Sequence, residues 1–196
     1  MRLLMVCAAL LLAAAPAGAQ RVWNGGFAAA GVAQADDEFV EDGFSFVFGW
    51  DTRWAIAQDF RLGIRGLADY SRLEPDEEAI LDELGLGGGD VEGGATTVVG
   101  TGFDFLGGYQ ADDFGGYGWV GIRFVRDERN DAEVESGGGV FRLPSEGRSD
   151  LGASYGAGVS WSFGRAGLLA EWFHVGGFDD RMVQVDGLRV GVMWSW

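Results

Sequence analysis

From residue 44 onward the chain alternates. Phe44, Phe46, Phe48, Trp50, Trp54 and Ile56 fall on one parity, and Ser45, Val47, Gly49, Asp51 and Arg53 on the other. Successive side chains of a strand point to opposite faces, so this segment has one apolar face and one small or polar face. The pattern returns at 152–163. It returns again at the end, where Leu188, Val190, Val192, Trp194 and Trp196 oppose Gly187, Arg189, Gly191, Met193 and Ser195. It predicts strands near 22–33, 43–56, 60–72, 95–109, 115–126, 150–163, 167–176 and 183–196. In a soluble sandwich the apolar face points inward, and in a membrane barrel it points to lipid. Alternation alone leaves both open.

The links between strands separate the two. Those at 57–59, 110–114 and 164–166 are tight turns; those at 34–42, 73–94, 127–149 and 177–182 are longer and mostly acidic. Short periplasmic turns alternating with longer external loops are the rhythm of an outer-membrane barrel. Strands of this length also exceed the soluble mode of about five or six residues. The expected fold is therefore all-β, a single eight-stranded antiparallel transmembrane β-barrel. Trp23, Trp54, Trp119, Trp161, Trp194 and Trp196 lie near the strand ends assigned to the turn side. Indole rings favour the headgroup level there. Within the second long link, 75–84 reads as a short helix, with Pro75 in its first turn, acids following and Gly85 closing it. Ile80, Leu81 and Leu84 share a face expected to pack over the barrel mouth.

The first nineteen residues stand outside this fold. Met1-Arg2 is a short positive start, Leu3 to Ala15 is apolar, and Pro16-Ala17-Gly18-Ala19 ends in an A-x-A pattern. That predicts a secretory signal peptide at 1–19, cut before Gln20, and a barrel domain at 20–196 exported through the Sec pathway. The apolar run is short of the roughly 20 residues a spanning helix needs. The only cysteine, Cys7, lies in this segment. With a formal net charge of −16 and no lysine, the chain is a poor partner for nucleic acid, whose binding rests on neutralised phosphates.

Parity also sorts the charges. Asp51, Arg53, Arg61, Arg65, Asp69, Asp104, Arg123, Glu171 and Arg189 all fall on the inward face. An eight-stranded barrel is just wide enough for side chains to fill, and an unpaired ion there costs several kcal/mol. The set forms either a polar pore or a plug of ion pairs. Its mixed signs and the planar fork of arginine favour the plug, with Arg61, Arg65, Arg123 and Arg189 paired to Asp51, Asp104 and Glu171. The acidic links carry Asp36, Asp37, Glu38, Glu77 and Glu78 without a basic residue among them. Weak calcium binding is an expectation there, beside the plainer one of a solvated acidic surface. The stretch Gly85-Leu86-Gly87-Gly88-Gly89-Asp90 follows no strand and opens no helix, and reads as a flexible loop.

The C-terminal octapeptide Arg189-Val190-Gly191-Val192-Met193-Trp194-Ser195-Trp196 resembles the outer-membrane assembly signal, in which Arg189, Gly191, Trp194 and Trp196 hold the diagnostic places. With Asp59-Phe60-Arg61-Leu62-Gly63-Ile64-Arg65-Gly66, it makes the whole mature chain similar to small eight-stranded barrels of the opacity-protein and OmpA-transmembrane-domain type. The resemblance implies the cell outer membrane, contact with its lipid and lipopolysaccharide, and handling by the assembly machinery as a monomer. The peptidoglycan-binding domain of larger OmpA-type proteins is not expected here. Lipid A deacylases are also eight-stranded barrels, with a histidine that activates a serine two residues on. In Glu171-Trp172-Phe173-His174-Val175-Gly176 a glycine stands in that place, so the triad logic fails. The expected role is structural or loop-mediated, as an adhesin or envelope protein meeting a host or envelope partner. It needs no catalysis and no cofactor. A narrow channel for small or hydrophobic solutes is the alternative, and a lipid A-modifying enzyme comes third.

Overall fold

The computed structural model describes residues 21–179 and 181–196. The expected signal peptide and its cleavage point lie outside the described residues. Eight long strands follow the alternating segments: β1 (Arg21–Ala35), β2 (Val40–Ala55), β3 (Phe60–Pro75), β5 (Thr96–Ala111), β6 (Phe114–Arg129), β9 (Glu146–Phe163), β10 (Ala166–Gly177) and β11 (Val185–Ser195). They form one closed barrel in the order β1-β11-β10-β9-β6-β5-β3-β2. Every pairing is antiparallel. The first and last strands close the ring, running from Gly25↔Ser195 to Ala35↔Val185. Closure leaves no edge with unpaired backbone groups, a condition for crossing lipid.

The strands run further than the alternation implies, chiefly at the loop end. A 16-residue strand such as β2 rises roughly 54 Å, or about 40 Å along the axis of a tilted barrel. An apolar band is only about 25 Å tall, so the strand ends stand clear of it. The outer face carries the large apolar side chains. In β2, Phe44, Phe46, Phe48 and Trp50 are exposed, while Ser45, Val47, Asp51 and Arg53 are buried inside.

The long links are not bare loops. Between β3 and β5, α1 (Glu77–Glu83) starts at Asp76, whose side chain accepts the Ala79 N–H at 2.9 Å. Pro75 ends β3 instead of opening the helix, because it still pairs with Val40. Of the apolar helix face, Ile80 is buried, and Leu81 lies beside Gly89 at the margin of a second sheet. That sheet comprises β4 (Asp90–Gly93), β7 (Ala132–Ser136) and β8 (Gly139–Leu143), in the order β4-β7-β8. It joins two links that read as separate loops.

Candidate functional site

Two groups of buried charge occupy the middle of the barrel. Glu171 is the hub of the first. Its Oε1 accepts from Arg65 Nη1 and from the Tyr117 hydroxyl, each at 2.7 Å, and its Oε2 accepts from Arg189 Nε at 2.9 Å. Toward the turn end, Asp51 Oδ2 takes both Nε and Nη2 of Arg53, at 3.1 and 2.7 Å, and lies 4.0 Å from Arg65 Nη2. In the second group Arg123 bridges two strands. Its Nε donates to Asp69 at 3.2 Å, and its Nη2 lies 2.6 Å from Asp104, which also accepts from the Ser154 hydroxyl at 3.0 Å. Gly100 makes room for this group, since a Cβ there would collide with the Asp69 carboxylate.

Four arginines, Arg53, Arg65, Arg123 and Arg189, thus face four carboxylates, Asp51, Asp69, Asp104 and Glu171. The formal charges cancel. Aromatic rings cover the guanidiniums: Arg65 lies 4.3 Å from the Phe27 centroid, Arg53 4.7 Å from Tyr117 and Arg189 4.6 Å from Phe173. Stacked, desolvated arginines of this kind gain from the ring quadrupole. Arg65 has no accessible surface and Arg123 only 1 %. Several of their atoms, Arg65 Nε and Nη2 and Arg123 Nη1, have no protein hydrogen-bond partner among the described residues.

An apolar collar lies on the loop side of these charges. Leu73, Val98, Val125, Val175, Met182 and Val183 are buried together there. The link between β10 and β11 is drawn into it by Asp127, whose carboxylate accepts the N–H groups of Val183 and Arg148, both at 3.1 Å. The alternation puts Asp127 at the start of the link 127–149. Its parity with Arg123 and Val125 was the signal that β6 runs on and turns it inward.

Some expected residues sit elsewhere. Arg61 does not join the ion pairs. It lies four residues nearer the turn end of β3 than Arg65 and donates through Nη1 to the carbonyls of Ala57, Gln58 and Phe60, at 3.2, 3.0 and 3.3 Å. Trp119 is buried in the lumen, on the same parity as Tyr117 and Arg123, and Trp23 packs against the inner cluster around Phe27. Neither belongs to an outer aromatic girdle. Trp161, Trp194 and Trp196 do point outward at the turn end. Of the assembly-signal residues, Arg189 therefore also serves the inner ion pairs, while Gly191 holds its place in β11 opposite Ala29 of β1.

In the acidic links Asp37 and Asp76 each accept a backbone N–H. Asp37 accepts the Phe39 N–H at 2.9 Å and lies 3.5 Å from Arg129, a counter-charge from outside its own link. Asp36, Glu38, Glu77 and Glu78 are at the surface. Among the described residues no three His, Cys, Asp or Glu side chains are arranged to hold a metal ion, so the calcium expectation finds no preformed site. His174 lies on the outer face near the loop end. Its Nδ1 is 3.1 Å from Asp186, its ring stacks on Tyr155 at 4.5 Å, and its Nε2 faces Gly176. An acid–base pair is present there without a nucleophile in the serine position.

No protein-family model matches the chain, and no curated protein matches it. Among solved structures, it is similar to Neisserial surface protein A at 16 % identity and a TM-score of 0.53, covering 90 % of this chain and 99 % of that one. The attachment invasion locus protein Ail of Yersinia pestis aligns at 18 % identity and a TM-score of 0.45, over 89 % of this chain and all of that one. The N-terminal β-barrel domain of OprF from Pseudomonas aeruginosa aligns at 13 % identity and a TM-score of 0.40. At its identity the likeness to Neisserial surface protein A is one of fold: the chain has the architecture of the small eight-stranded outer-membrane β-barrels.

Proposed function

We propose that this chain is a surface-exposed outer-membrane protein that acts through its loop layer, and that its barrel is a closed support rather than a conduit. The observation that carries the reading is the interior. Two groups of ion pairs, whose charges cancel between them, and an apolar collar fill the lumen, and the arginines at its centre have almost no accessible surface. A conducting pore needs water at every level, and here side chains stand in its place.

The outer face supports the membrane setting. Phe46, Phe103, Val120, Phe124, Val190 and many like them are exposed on the barrel wall, far more contiguous apolar surface than a soluble monomer carries. The loops, in contrast, have a fold of their own, which suits a role in adhesion or in the envelope. His174 and Asp186 lack a nucleophile, so lipid hydrolysis is not proposed. Lipopolysaccharide as the surrounding outer leaflet, and the assembly machinery as the reader of Trp194 and Trp196, complete the reading.

Expression of the full chain in a Gram-negative host tests it. Protease added to intact cells should cut within 84–94 or 130–145 and leave a membrane-bound barrel fragment. The purified protein should fold only in detergent or lipid and migrate differently on heated and unheated gels. A stable monomer in plain buffer, or loops that protease reaches only after lysis, would contradict the proposal.

A further inference from the structure

The loop sheet β4-β7-β8 is open on one side. β8 stands at its edge, and β7 is its only strand neighbour among the described residues. The register decides which backbone groups are left over. Gly137 and Gly138, at φ of 58° and 84°, close a two-residue turn. Ser136 and Gly139 on either side of it therefore exchange hydrogen bonds, and bonded pairs recur at every second step along the hairpin. Gly139, Phe141 and Leu143 turn their N–H and C=O groups to β7. Val140 and Arg142 turn theirs to the free edge, where all of β8 but Leu143 is exposed.

The side-chain rows across the sheet also stop short at β8. On one face Val91, Val134 and Phe141 stand in register. Val134 has no accessible surface, whereas Phe141, the last member of its row, is 46 % exposed. On the other face the rows are Asp90, Glu135, Val140 and Glu92, Glu133, Arg142. Arg142 lies 2.8 Å from Glu133, while Asp90 and Glu135 oppose each other with no ion pair among the described residues. Like charges directly opposite in a sheet are unfavourable. Natural edges are blunted by a bulge, a cover or a free charge. β8 keeps its register from Gly139 to Leu143, and Glu133 already neutralises its one charge.

We propose that β8 takes on a further strand, supplied by an extended segment of a partner protein in which an apolar residue neighbours a lysine or arginine. Unpaired N–H and C=O groups at strand spacing are matched by another extended backbone. The apolar residue lies beside Phe141 and covers it. Its basic neighbour falls on the opposite face beside Val140, whose short side chain lets a long cation reach across to Glu135. Charge argues against a second copy of the chain as the occupant. Joined at β8, it would set a second group of the same carboxylates on one continuous face, in a chain that already carries −16. The inference rests on the reading that the loop layer is the part that recognises.

The test uses the refolded mature chain in nanodiscs and a soluble peptide, acetyl-Ser-Thr-Val-Lys-Val-Thr-Ser-amide, as the probe. Amide hydrogen exchange read by NMR reports on the edge. Without peptide, the Val140 and Arg142 amides should exchange fast and that of Phe141 slowly. Saturating peptide, in the millimolar range, should slow Val140 and Arg142 by about tenfold or more. Val140→Pro removes an edge N–H that β7 does not use, and should abolish binding while Phe141 stays slow. On the wild-type chain, methylating one alternate set of peptide amides should abolish binding and methylating the other should leave it, since a strand turns alternate residues to its neighbour. Glu135→Gln should weaken binding about threefold, the loss of one exposed ion pair. No slowing at Val140 and Arg142, or the same response to both methylated peptides, would overturn the proposal. So would protection that rises with chain concentration in the absence of peptide, the mark of a second copy. Protease access on intact cells reports on the surface location separately, so that reading stands or falls on its own result.

Discussion

At the scale of single residues, the molecule is organised by side chains that have no alternative partner. Glu171 receives two arginines and a tyrosine and is only 2 % exposed. Removing one member of such a group leaves an uncompensated ion, whereas removing a matched pair does not. Glu171→Gln should therefore destabilise the barrel by about 3–5 kcal/mol. Adding Arg189→Met to the same chain should recover part of that loss. Urea unfolding in micelles, followed by tryptophan fluorescence, measures both; equal stability of Glu171→Gln and the parent chain would contradict the hub. A second residue-scale expectation lies outside the barrel wall. The Arg181 side chain, bonded to both carboxylate oxygens of Asp179, and the Arg181 N–H hold the Asp179 carboxyl down to about 2. A carboxyl lowered on folding stabilises above its unfolded value and loses that contribution as pH falls through its folded one. This contact should therefore persist through mildly acidic pH and fail only near 2. A carboxyl NMR titration should show that midpoint, and Arg181→Gln should raise it toward the ordinary carboxylate range.

At the scale of elements, what the sequence disclosed and what it hid have physical reasons. Alternation runs through ten or more residues in strands such as β2, β9 and β11, and over that length no other structure keeps period two. The eight strands and their tight turns were therefore legible, as were most of the inward charges. The loop sheet was not. Its strands are four or five residues long, too short for a period to register, and β4 pairs with β7 across some forty residues of chain. One local signal was present: Gly137 and Gly138, with φ of 58° and 84°, form the two-residue turn between β7 and β8. Arg61 was misplaced for a different reason. Parity gives the face of a residue but not its height, and at the turn end backbone carbonyls lie closer than any carboxylate. Asp127 offers the test at this scale. If its carboxylate draws the β10–β11 link inward, Asp127→Ala should speed hydrogen exchange at the Val183 amide by about tenfold or more, for a lost charged hydrogen bond of about 1.5–3 kcal/mol. Exchange in the centre of β6 should stay slow. Unchanged exchange at Val183 would mean that the link is held by Met182 and its apolar neighbours alone.

For the whole molecule, the division of labour follows from the barrel's size. Eight strands leave an interior that side chains can fill, so lumen chemistry goes into pairing and packing, and the proposed function assigns recognition to the loop end. The outward apolar wall, the cancelled internal charge and the acidic exterior loops then form one arrangement: lipid outside, ion pairs within, and a folded layer facing water. Its central claim is closure, and planar-bilayer recording of the refolded wild-type chain tests that most directly. The account predicts no steady conductance above that of the bare bilayer in molar potassium chloride. Large, stable, single-channel steps reproduced across preparations would show that ions pass the level of Arg65 and Glu171, and would contradict it.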